Sequence, residues 1–224
     1  MYHFDGFTIA VSWEEIFMSA RVFRIHPDNP QLRLIRQAVE VLRNGGVIVY
    51  PTDTIYGIGC SIFEKEAIER IYRIKHLDPT KPLSFVCYDL SDISTYARVS
   101  NYAYRAMKRH LPGPYTFILP AAREVPKRLW NKRRAVGIRV PDNEIARLLV
   151  RELGAPIVST SITDEEGFII SDPETIVQRL GDKVDAILDA GPLVGDPSTV
   201  VDLTEDMPQV LREGAGDVSW FSAG

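Results

Sequence analysis

Three hydroxyl-rich segments carry most of the chemistry this sequence offers: Pro51-Thr52-Asp53-Thr54, Ser159-Thr160-Ser161 and Pro197-Ser198-Thr199. Hydroxyls and free backbone N–H groups at strand ends can hold phosphate or carboxylate oxygens. Ligands of open α/β sheets bind outside the carboxyl ends of the strands, where these segments are expected to fall. One such segment alone is more often a turn or a helix cap; three at strand ends in one domain narrow that margin toward an anion site. The usual nucleotide motifs are absent. There is no Gly-x-x-x-x-Gly-Lys-Ser/Thr loop, and Gly57-Ile58-Gly59 lacks the third glycine of a dinucleotide fingerprint. No serine stands in a nucleophile elbow. His3, His26, His76 and His110 show no ligand spacing with one another or with Cys60 and Cys87, so no metal site is assigned and the catalytic residues stay unknown.

Alternating helical and strand-like stretches must position these segments. Asp28-Asn29-Pro30 has the form of a helix start, followed by Leu32, Ile35, Val39 and Leu42 at helical spacing and stopped by Gly45-Gly46. Val47 to Tyr50 is expected as a short buried strand ended by Pro51, which puts Thr52, Asp53 and Thr54 on the loop beyond it. Further helices are predicted over 64–76, 101–111, 143–153 and 172–180, the last capped by Asp172-Pro173. Strands are predicted over 83–87, 115–119, 135–140, 156–159, 186–189, 199–203 and 209–212. Interleaving of this kind, without linker or repeat, predicts one α/β domain with a mixed sheet and flanking helices.

Composition sets the bounds. With 224 residues, 45% hydrophobic and 25% charged, the chain can bury a substantial core. No apolar run approaches the roughly 20 residues that span a bilayer, so no membrane is expected. Residues 1–17 lack Lys and Arg and so do not read as a secretory signal; they are expected to be an extension outside a domain of 18–224. Two cysteines make no disulfide framework, which suits a reducing cytoplasm. The net charge of −4 conceals a basic segment: residues 98–139 hold eleven bases, Lys127, Arg128, Lys132, Arg133 and Arg134 among them, against the single acid Glu124. That segregation fits a surface facing a polyanion such as RNA, and equally a solvated basic face.

Read together, the segments resemble the YrdC/YciO family, that of the threonylcarbamoyl-AMP synthases. "VIVYPTDTIYGIGC" (47–60), "IYRIKHLDPTKPLSF" (71–85), "PGPYTFIL" (112–119), "VGIRVPDN" (136–143), "PIVSTS" (156–161), "DPSTVVDLT" (196–204) and "VLREGAGD" (210–217) follow in the family's order, and the stretch before them looks most like the YciO branch. The resemblance implies a twisted sheet around a deep, positively charged cavity. It also implies synthesis of threonylcarbamoyl-AMP and pyrophosphate from ATP, L-threonine and bicarbonate for tRNA modification, with Mg²⁺ arriving on the ATP, and in some members binding of double-stranded RNA. Thr54 matches the family's threonine-contacting hydroxyl and Arg139 its carboxylate-binding arginine, with Thr52 and Ser159 beside them. Lys75 matches the first member of a Lys-x-Arg pair, but Leu77 stands at the second. Ser161 opens a Ser-x-Asn pair that Thr163 closes. Lys81 replaces a usual Asn, and Val86 a frequent His. Ser198, Thr199 and Arg212 match the late nucleotide-side segments. The implied activity is a nucleotidyl transfer with an altered site; the alternative is a nucleotide- or RNA-binding protein without turnover.

Overall fold

The helical spacing of apolar residues after Gln31 produces α1 (Leu32–Arg43), which buries Ile35, Ala38, Val39 and Leu42 along one stripe. Asp28 does not cap it. The cap position is Gln31, without a side-chain bond, and His26 Nδ1 instead accepts the Asp28 and Asn29 N–H groups. The computed structural model describes residues 19–78, 81–126, 129, 133–205 and 207–222. The expected 1–17 extension lies outside the described residues, as do Lys127, Arg128 and Lys132.

Ten strands form one mixed sheet among the described residues: β1 (Arg21–Arg24), β2 (Ile48–Tyr50), β3 (Gly57–Ser61), β4 (Ser84–Val86), β5 (Tyr115–Pro120), β6 (Ala135–Arg139), β7 (Ile157–Ser161), β8 (Ala186–Asp189), β9 (Thr199–Asp202) and β10 (Gln209–Arg212). Their order is β1-β8-β2-β3-β7-β4-β6-β5-β9-β10. The remaining helices are α2 (Lys65–Ile74), α3 (Leu90–Tyr96), α4 (Asn101–His110), α5 (Glu144–Leu153), α6 (Pro173–Leu180) and α7 (Ser219–Ser222). Asp172 caps α6 through the Thr175 N–H, as the sequence leads one to expect, and Asn143, expected as the first residue of α5, is its cap through the Ala146 N–H.

Because side chains alternate across a strand, each central strand presents a different set to each face. Phe85, Phe117, Ile138, Val158 and Val201 face a core completed by α2, α4 and α6 through Ile68, Ile71, Ala106, Met107 and Ile176. On the other face α1 and α5 cover Phe23, Ile48, Ile157 and Leu188. Past that cover the face carries small and polar groups. Ser159, Ser84 and Gly137 lie opposite one another across β7, β4 and β6, and Thr116 opposes Val200 across β5 and β9. A row of side chains this small leaves a hollow.

Two expected strand-end segments sit elsewhere. Ser159-Thr160-Ser161 lies inside β7, paired with β3 from Gly57 to Gly59. Ser198 precedes β9 and so stands at its amino end, because Arg212 and Thr116 draw the chain into the sheet from Thr199 onward.

Candidate functional site

The hollow is a cavity of about 290 Å³ lined by residues from β2 to β10. Lys75, Lys81, Arg139 and Arg212 line it together with Thr52, Ser159, Ser161, Thr163 and Ser198, and among the described residues none of the lining is acidic. Thr54 stands just behind, bonded to both Thr52 and Arg139. The structure thus brings together ten of the residues the sequence singled out. Thr199 does not line the cavity. Its hydroxyl accepts the Gly214 and Gly216 N–H groups and donates to the Gly216 carbonyl, fixing the turn behind Ser198.

Arg139 ends β6 and is 8% exposed. Its Nη2 donates to Asp53 Oδ1 at 2.8 Å and to Thr54 Oγ1 at 3.1 Å, while its Nε is buried without a partner. Asp53 Oδ2 in turn accepts the Asp142 N–H, tying the loop after β2 to the loop after β6. A buried guanidinium with a spare N–H can take one further oxygen acceptor.

Lys75 follows α2, and its Nζ donates to the Thr163 carbonyl at 2.6 Å and to Thr163 Oγ1 at 3.0 Å. Burial, reinforced by the charge of Lys81, pushes its pKa down to about 8. Lys81 is exposed at the rim, where the Tyr72 hydroxyl donates to its carbonyl. Across the cavity Arg212 donates through Nε and Nη2 to the Ser198 carbonyl, and through Nη2 to Ser198 Oγ. Burial first, then the Arg139 charge, lowers its pKa. Two pairs of like charges thus work against each other inside one hollow, an arrangement that an anion relieves.

Several lining groups gave no clear sign in the sequence. Thr116 Oγ1 meets Ser198 Oγ at 2.8 Å, and the Tyr50 hydroxyl donates to Ser159 Oγ at the same distance. Tyr50 read as a core aromatic because it closes an apolar strand; its place directly before the Pro51–Thr54 loop was the available signal. Gly57 and Gly59 serve this ring. A Cβ on Gly57 would lie 3.4 Å from Tyr50 Cζ, and one on Gly59 3.2 Å from its Cε1. Leu77 and Val86, two departures from the family pattern, line the cavity as apolar wall.

Of the bases expected to meet RNA, Arg133 and Arg134 are exposed, and Arg133 lies 3.5 Å from Asp202 Oδ2. Among the described residues no group of His, Cys, Asp and Glu could hold a metal ion, and no helix is long and apolar enough to cross a membrane.

A mixed ten-stranded sheet with flanking helices, and a cavity whose described lining carries four cationic side chains and no carboxylate, defines the class as a single α/β domain with a positively charged hollow. The Sua5/YciO/YrdC family model, described as telomere recombination, matches residues 40–214. The chain belongs to this family. It is 52% identical over 204 residues to the uncharacterized protein YciO of Escherichia coli K12, covering 90% of this chain and 99% of that one. The crystal structure of E. coli YciO superposes with a TM-score of 0.87. A threonylcarbamoyl-AMP synthase of Chromobacterium violaceum is 35% identical, covering 83% of this chain and 96% of its own. The structure of Pyrococcus abyssi Sua5 complexed with L-threonine matches with a TM-score of 0.81 at 28% identity, covering 86% of this chain and 57% of that one.

Proposed function

We propose that the cavity binds ATP and an amino acid together, and that the protein carries out nucleotidyl transfer of the threonylcarbamoyl-AMP synthase type with an altered phosphate side. The observation that carries this reading is the convergence of Lys75, Lys81, Arg139 and Arg212 on one cavity with no acidic lining residue among those described. The synthase relatives and the threonine-bound Sua5 structure support it. In the reaction the amine of L-threonine takes up the carbon of bicarbonate, with loss of water, to form a carbamate. A carbamate oxygen then attacks the α-phosphorus, and the bond to pyrophosphate breaks. Catalysis of this kind is largely positioning and charge neutralisation.

Arg139 and Thr54 are assigned to the amino-acid carboxylate, with Thr52 and Ser159 beside them. Lys75, Lys81, Ser161, Thr163, Ser198 and Arg212 are assigned to the nucleotide, Thr199 acting through the turn it holds. Any Mg²⁺ would arrive on the phosphates as part of the substrate. Leu77 supplies none of the roughly 1.5–3 kcal/mol that a phosphate-bonded arginine contributes. ATP should therefore bind about tenfold to a hundredfold more weakly than in a site with the full pair. Calorimetric titration with ATP and pyrophosphate release dependent on L-threonine and bicarbonate test the reading. No ATP binding at millimolar ligand would sink it.

A second reading, RNA binding without turnover, is favoured by the exposed bases Arg105, Lys108 and Arg109 on α4 and by Arg123, Arg133 and Arg134. Double-stranded RNA or tRNA should then bind with an affinity that falls steeply as salt rises. Reversing Lys132, Arg133 and Arg134 to Glu should weaken binding and flatten that slope. Absence of binding at low salt removes this alternative.

A further inference from the structure

Among the described residues Lys75 Nζ makes two hydrogen bonds, both to Thr163: one to its carbonyl at 2.6 Å and one to its Oγ1 at 3.0 Å. A lysine nitrogen has three positions beyond its own side chain. The third is an N–H in the ammonium and a lone pair in the neutral amine, and it is left for a molecule in the cavity that Lys75 lines. The amine form is within reach. Burial first, and the Lys81 charge second, draw the pKa down to about 8 against a weaker opposite pull from Asp164. A part-buried lysine with a free lone pair is a nucleophile.

The surroundings suit an anion at that nitrogen. Lys81 acts on it directly, Arg139 and Arg212 line the same cavity, and among the described residues that lining holds no carboxylate. Lys75 and Thr163 also border a second cavity of about 890 Å³. There Asp164, Glu165, Glu166 and Asp182 mix with Arg179 and Lys183, so that side offers an anion no net attraction. As an ammonium, Lys75 is repelled by Lys81; carrying a negative charge, it would be attracted.

We propose that Lys75 Nζ is a reversible CO2 site, the adduct being a carbamate held between Thr163 and Lys81. The lone pair of the amine forms a C–N bond to the carbon of CO2, one C–O π bond opens to give a carboxylate, and one N–H proton passes to water. The adduct keeps one N–H, which still meets the Thr163 carbonyl. Thr163 Oγ1, an acceptor beforehand, then has its own proton to donate to a carbamate oxygen. A position that holds a cation thereby comes to hold an anion. The proposal goes beyond the nucleotidyl-transfer reading and does not rest on it, because the adduct needs neither ATP nor an amino acid.

Chemical trapping on the full chain, near neutral pH in isotopically labelled bicarbonate, tests this. A trialkyloxonium salt converts carbamates to stable esters, and peptide mass spectrometry then locates the label. Lys75 should carry at least about tenfold more label than the exposed Lys65 at the other end of α2, because an ordinary lysine is almost wholly ammonium there. A parallel reaction with acetic anhydride reports free amine without forming an anion. Lys81→Met should lower the label on Lys75 several-fold and its acetylation less, since only the carbamate gains from a neighbouring cation. Label on Lys75 no greater than on Lys65 overturns the proposal. So does rapid acetylation of Lys75 without label, which would show a free amine and no site for CO2. Label unchanged in folded Lys81→Met overturns it too.

Discussion

At the scale of single residues, the ammonium of Lys75 is the group most exposed to a change of conditions. Its pKa near 8 lies below the ordinary 10.5, because the fold removes it from water and sets Lys81 beside it. Bound phosphate would raise it again, so the complex holds more protons than the free protein, and ATP affinity should fall as pH rises through about 8. Fold stability should move the other way. The unfolded chain keeps this proton up to the ordinary value and the folded chain loses it near 8, so stability from this group rises between those two pH values. Titrations at pH 7 and pH 9 with Lys75→Met as the control check both signs, since the variant should bind ATP weakly and without that pH dependence. Leu77 packs against the main core as well as lining the cavity. Leu77→Arg together with Thr163→Asn should raise ATP affinity about tenfold to a hundredfold, and pyrophosphate release with it, at some loss of stability. An unchanged affinity in a folded double variant would show that Lys81 already serves the phosphates.

At the scale of elements, the Asn143 cap and the left-handed Gly154 close α5, the helix that covers the face beside the cavity. Asn143→Ala should cost about 1 kcal/mol, lowering the melting temperature by roughly 2–4 °C for a domain of this size. Because α5 follows directly on Arg139 and Asp142, L-threonine affinity should fall more than ATP affinity. Helices of this kind were legible because their apolar spacing is local, as in α1, α4, α5 and α6, and in α6 the Asp172 cap was legible too, whereas the start expected at Asp28 caps nothing in α1. Elements that depend on distant partners were not. The strand β3 is not among the strands that local pattern predicts, and it is a buried strand because Tyr50 and Ile157 fill the space its glycines leave. The short strand β1 is made by its parallel pairing with β8, far along the chain. The site divides in the same way. Residues in contiguous motifs, such as Thr54 and Lys75, could be named from the sequence, while Thr116 and Ser84 join the cavity only through strand register.

At the scale of the molecule, removing residues 1–17 should leave the melting temperature unchanged if they stand outside the domain; a drop of several degrees would show that they pack on it. The strand order sets a larger constraint, because the cavity draws on side chains from Tyr50 to Arg212 and on eight of the ten strands. No fragment of the sheet holds the site, so a ligand that fills it binds the folded chain and not the unfolded one. Occupancy then acts as a brake on unfolding, by about 2.7 kcal/mol when ligand stands a hundredfold above its Kd, or roughly 5–11 °C in melting temperature. The whole sheet should gain this protection in one cooperative step. In a cell, how long the protein survives proteases would then depend on how much of its substrate is present.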